Sequence, residues 1–170
     1  MRSKMFLASI VCGLIAIAIQ PISATAATPN LAGSWQFILT PTAPPTATPP
    51  VVEIPGLATF TTDGSVIETD GSEFVPNPPS ATPTNSSTPG HGIWQLANTP
   101  VTLYVQYFSL VLNPDGSLFA RNITTMFLTE NSKGNQFTGS YTTDQEMGGA
   151  TKTLSSGTVS GQLIPHVALP

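Results

Sequence analysis

The chain is poor in the residues that most chemistry draws on. It has one cysteine, two histidines and five basic residues in 170. Cys12 lies in an apolar run near the N-terminus, and no cysteine follows it. A chain that loses this run can form no disulfide, even in an exported compartment that permits one. A His/Cys metal centre is excluded as well, since His91 and His166 have no thiol to join them, and no metal or other cofactor is expected. Basic residues are too few and too scattered for nucleic acid, which needs clustered Lys and Arg. Anionic membrane surfaces are disfavoured on the same ground. A nucleophile elbow, a phosphate loop and a dinucleotide fingerprint are all missing.

The N-terminus reads as a targeting segment. Arg2 and Lys4 precede an apolar stretch from Met5 to Ile19, and Ala24-Thr25-Ala26 supplies the small-residue cut pattern. This composition predicts a secretory signal over 1–26, removed to leave a chain that begins at Ala27. The expected location is secreted or periplasmic, with no membrane insertion after cleavage. The apolar stretch is shorter than the roughly 20 residues a spanning helix needs. Cleavage leaves 144 residues, enough for one domain, with three basic residues against nine acidic ones and a net charge of −6.

Thr, Ser, Val, Gly and Pro dominate what remains, and sustained helical periodicity is absent. Short β-type runs bounded by turn residues recur instead. The runs are Gly33–Thr40, Ile54–Thr62, Ser65–Thr69, Gly92–Ala97, Val101–Leu112, Ser117–Thr129, Gln136–Asp144 and about Thr151–Ile164. Proline-rich stretches at 41–50 and 70–90 interrupt them and cannot supply central strands, because proline lacks a ladder donor. Asp-Gly-Ser occurs at Asp63, Asp70 and Asp115. It reads as repeated turn chemistry, since the alternating ligands of a calcium loop are missing.

The two runs flanking Asn113-Pro114-Asp115-Gly116 predict a long hairpin. With Asn113 opposite Ser117, regular pairing sets Leu112 against Leu118, Val111 against Phe119, Phe108 against Asn122 and Tyr104 against Met126. One face then carries Leu103, Val105, Tyr107, Val111, Phe119, Ile123 and Phe127. The other carries Tyr104, Phe108, Leu110, Leu112, Leu118 and Met126, with Gln106, Asn122 and Thr124 among them. A half-exposed sheet alternates apolar with polar, whereas both of these faces are substantially apolar. A barrel interior is expected on one side and a loop, a helix or a second subunit on the other. Strands of about 12 residues in a sequential meander predict a closed all-β barrel of about eight antiparallel, up-and-down strands.

Gly33-Ser34-Trp35 resembles the G-x-W element that opens the first strand of lipocalins (calycin-type barrels), and Thr143-Asp144 is similar to their later T-D element. The resemblance covers the barrel, and it implies that Trp35 packs across a closed end. Gln145 replaces the aromatic expected after the T-D pair, and the family's C-terminal helix and arginine have no counterpart. The same layout is similar to the barrels of allene oxide cyclases and dirigent proteins, which steer reactive small molecules.

Function is then expected from the interior. The favoured expectation is a small apolar molecule held in the barrel; a cyclase or isomerase, and a structural or adhesive exported domain, are the alternatives. The ligand-lining set expected from the hairpin face is Tyr104, Gln106, Phe108, Asn122 and Met126, with Thr124 between them. His91 joins it because flanking glycines let a ligand approach closely. Glu68, Asp70 and Glu73 read as a solvated acidic rim, and Arg121 as an outward cation opposite Ser109. Asn85 and Asn122 begin glycosylation sequons.

Overall fold

The computed structural model describes residues 29–42, 52–71, 85–97 and 102–165. The 1–26 segment, most of both proline-rich stretches, Glu73 and His166 lie outside the described residues. Among the described residues nine strands form: β1 (Gly33–Pro41), β2 (Ile54–Phe60), β3 (Ser65–Asp70), β4 (Ser86–Ser87), β5 (Gly90–Leu96), β6 (Leu103–Leu112), β7 (Leu118–Glu130), β8 (Gln136–Met147) and β9 (Ala150–Leu163). Eight of them close a ring in the order β1-β2-β3-β5-β6-β7-β8-β9, every neighbour antiparallel. Closure leaves no sheet edge around the ring. The expected up-and-down eight-stranded barrel is the observed fold.

Local chemistry accounts for the turns. At Asp63-Gly64 and Asp115-Gly116 the aspartate accepts the amide of the serine two residues on, at 3.2 Å from Ser65 and 2.9 Å from Ser117. Gly64 (φ 90°) and Gly116 (φ 83°) hold the left-handed position that follows. The β8–β9 connection is tighter than the sequence suggested. Strand β8 continues to Met147 and turns through Gly148 and Gly149 alone, where a longer link over 145–150 was expected. Strand β4 was not foreseen either. Its two residues pair with Leu112 and Val111, prolonging the line of β5 along β6.

The predicted β6–β7 register fails by one residue. Leu112 does oppose Leu118, but Val111 opposes Ala120, so Phe119 is bulged out. Beyond it Tyr104 faces Phe127, Tyr107 faces Thr124, Phe108 faces Ile123 and Leu110, not Ser109, faces Arg121. A one-residue slip reverses every side chain relative to its neighbour strand. The inner wall therefore takes Leu103, Val105 and Tyr107 from β6 together with Ala120, Thr124, Met126 and Leu128 from β7, all buried. The two predicted faces are each split between inside and outside.

One end of the barrel, the base, is packed solid. Leu31 and Trp35 are fully buried there, with Phe60, Leu103, Leu128 and Phe137 beside them. Trp35 Nε1 donates to the Leu31 carbonyl at 2.7 Å, and its ring sits 5.1 Å from that of Phe137. The Asn30 amide ties the entering segment to Glu130 Oε2 at 3.0 Å. Trp35 thus seals the base, as the G-x-W resemblance implied.

Candidate functional site

Above the base the inner wall changes character. One continuous row across the sheet runs Val66, Gly92, Tyr107, Thr124, Thr143, Ser155. Nearer the opposite end, the rim, Glu68 pairs with Gly90 and Asn122 with Gln145. Hydroxyls and amides are knitted together along this wall. Thr124 and Thr143 share a hydrogen bond at 3.0 Å, Tyr141 Oη and Ser155 Oγ one at 2.8 Å, and Gln145 Nε2 donates to Asn122 Oδ1 at 3.1 Å.

Two side chains stand out in this polar half. Glu68 is 3% exposed, which overturns its reading as part of a solvated rim. Asp70, two residues on and half-buried, follows it on the same face. Tyr107 is 4% exposed, and its hydroxyl makes no hydrogen bond. The Thr124 hydroxyl opposite is bonded to Thr143, and it tends to lower the Tyr107 phenol. Burial, and then the charges of Glu68 and Asp70, hold the Tyr107 phenol well above its usual range. Tyr141 is also raised, by burial first, against the lowering effect of its bond to Ser155.

Gly90 shows how close these groups lie. A Cβ there would stand 2.5 Å from Tyr107 Cδ2 and 2.8 Å from Glu68 Oε2, so ring and carboxylate flank the same point of backbone. Gly92 is required for another reason, because its Cβ would collide with the Gln106 carbonyl. Both glycines that bracket His91 therefore serve the interior. His91 itself points outward and is exposed, opposite Ile67 and Phe108.

The residues expected from the sequence divide between the two walls. Asn122 and Met126 lie inside, with Thr124 between them, whereas Tyr104, Gln106, Phe108 and His91 lie outside. No ligand held in the interior touches both groups. Asn122 is half-buried and hydrogen-bonded in the wall, so its sequon is not presented as an exposed loop site. Arg121 is outward as expected; it bonds to Glu146, and its guanidinium lies 6.0 Å from the Phe108 ring centroid. On this outer wall Ile67, Ile93, Phe108 and Phe127 are each about half exposed. An open groove of about 750 Å³ crosses β8, β9, β1 and β2 on the outside, between a ridge of Gln136, Gln162 and Gln36 and a ridge of Thr138, Ser160 and Ile38. None of the inner polar residues apart from Asp70 borders it.

Among the described residues, no three His, Cys, Asp or Glu side chains are grouped to hold a metal ion. Comparison with family models, with curated proteins and with solved structures returns no match. The likeness to lipocalins accordingly rests on the barrel and on the position of Trp35.

Proposed function

We propose that this is an exported barrel that binds a small molecule in the polar half of its interior. The observation that carries the reading is the buried Tyr107 hydroxyl, left without a hydrogen bond on a side chain whose ring edge flanks Gly90 together with Glu68. Burying an unsatisfied polar group costs about 1–3 kcal/mol, and an apolar residue in its place would avoid that cost. A ligand group that completes the bond gives the arrangement a purpose. Thr124, Asn122 and Met126 share this wall and form the proposed contact set with Tyr107 and Glu68. The export part of the reading rests on residues 1–26 as a secretory signal that is removed on export.

An environment-sensitive apolar dye, titrated against the full mature chain, tests the proposal. Saturable binding weakened by Thr124→Leu or Asn122→Leu, with Phe108→Ala on the outer wall as an unaffected control, is expected. No saturable binding by the parent would falsify it.

The adjacency of a buried carboxyl and a phenol favours a second reading, an isomerase or cyclase of the allene oxide cyclase or dirigent type. There Glu68 would move a proton while Tyr107 oriented the substrate. Turnover abolished by Glu68→Gln in a folded protein separates this reading from simple binding.

A further inference from the structure

We propose that two copies of this chain pair through the apolar outer wall of β3, β5, β6 and β7. One row crosses these strands as Ile67, His91, Phe108 and Ile123, all at outward positions. Ile93 and Phe127 extend it toward the base, and Leu110 toward the rim. Ile67, Ile93, Phe108 and Phe127 are each about half exposed, and Leu110 more than a third. On the opposite side, the outward positions of β8 and β9 carry Thr138, Ser140, Thr158 and Ser160. A barrel solvated evenly all round has no reason to divide its surface in this way.

The area fits a pairing face. These five exposed side chains present about 500 Å² of apolar surface, near the upper end of what a monomer leaves uncovered. A standard interface takes about 800 Å² from each partner, about 60% of it apolar, so the patch supplies the apolar share of one such interface. Charge then selects the partner. Among the described residues, the outward positions of these four strands hold no acid, and the one Lys or Arg there, Arg121, is bonded to Glu146 at the margin. The chain as a whole is acidic, so a basic partner would be drawn to its other faces and would find no carboxylate on this one. A second copy meets no like charge here. Polar groups inside the face are also provided for: Gln106 Nε2 donates to Thr125 Oγ1 at 3.3 Å, so covering them leaves neither without a partner. A contiguous face that meets its own copy gives a closed two-fold pair.

Sedimentation velocity on the full mature chain at micromolar concentration tests this, with a mass of two chains expected. Phe108→Glu and Phe127→Glu should each weaken association at least about tenfold, since each buries a charge at the centre or edge of the contact. Ser160→Glu adds the same charge to the opposite wall and should leave the pair intact. All three positions are exposed, so circular dichroism should show each variant folded. A parent that stays monomeric overturns the proposal, and cosedimentation of that monomer with phosphatidylcholine vesicles would reassign the face to a lipid surface. A mass of three or more chains overturns the pairing of this face with itself. A dimer indifferent to Phe108→Glu and Phe127→Glu, or weakened as much by Ser160→Glu, overturns this wall as the interface.

Discussion

Replacing Gly90 with alanine separates two explanations of the Gly-His-Gly stretch. If the glycines exist so that a ligand reaches His91, adding a methyl at Gly90 changes binding and leaves stability alone. The geometry demands the opposite. The new Cβ would lie 2.5 Å from Tyr107 Cδ2 and 3.1 Å from Cε2. Ordinary carbon–carbon contact is about 3.5–4.0 Å, so the overlap is about 1 Å against a buried ring that has little room to move. Overpacking of this kind costs about 1–3 kcal/mol. Alanine recovers part of that, because glycine in a strand carries an entropic cost of about 0.5–1 kcal/mol. The net expectation is a loss of about 1–2 kcal/mol, read as a lower urea midpoint at unchanged slope. His91→Ala, on the outer wall, should stay within about 0.5 kcal/mol of the parent. A Gly90→Ala/Tyr107→Leu double variant should recover stability relative to the sum of the single changes, since the clash partner is gone. Equal or higher stability of Gly90→Ala would refute the packing argument and return His91 to consideration.

Four further outcomes are expected. Trp35→Ala should cost about 3–5 kcal/mol and Trp35→Phe, which keeps the ring but orphans the Leu31 carbonyl, about 1–3, both by chemical denaturation; a smaller loss for the alanine variant means Trp35 does not seal the base. Gly116→Val, forced to φ 83° in open space, should lose about 1–3 kcal/mol, and Gly116→Asn much less. Tyr107 is raised when folded, so its contribution to stability is complete below its unfolded value of 10.0 and is lost as pH climbs above that. Urea midpoints of Tyr107→Phe should therefore fall less steeply from pH 9 to about 11 than those of the parent, and parallel curves would contradict the burial of a neutral phenol. Intact mass of exported protein should place the first residue at Ala27, whereas retention of Met1 would overturn the signal assignment.

Strand positions were legible because turn chemistry brackets each run, and bounds agree to within a few residues from Gly33 to Leu163. The faces were not. Leu112 opposite Leu118 follows from the Asn113–Ser117 turn, whose closing amide bond is 2.8 Å. The bulge one step later does not, because Leu118-Phe119-Ala120 contains no glycine or proline to mark it. Phe119 is 39% exposed, so the surplus residue is one whose outward turn the hydrophobic pattern argues against. Every inference downstream of that step inherited the wrong parity. Strand β4 was hidden for a different reason: two residues followed by Thr88-Pro89 are too short to carry any period.

Glu68 lies between these cases. Its own strand, Ser65 to Asp70, is ambiguous, since Val66 and Ile67 claim opposite faces and the acids fall on the side of Val66. The neighbouring turn resolves it. The Thr61 amide bonds the Ser65 carbonyl at 2.9 Å, which sets Phe60 against Val66 and Ala58 against Glu68. A buried Phe60 then forces Glu68 inward, because residues two apart share a face. Local pattern alone assigns an acid among Ser, Thr and Gly to solvent; the hairpin register carries it into the barrel. The same logic accounts for the division of the interior. Trp35, Phe37 and Leu39 project inward along β1 from the base upward, where Leu163, Gly161 and Val159 of β9 meet them. The longer strands β7, β8 and β9 run on past the end of β1, and their inward positions there are Asn122, Gln145, Thr143 and Ser155. Apolar side chains fill the barrel along β1, and hydroxyls and amides line the stretch where β7, β8 and β9 run on past it, with Glu68 on β3 the buried acid between them.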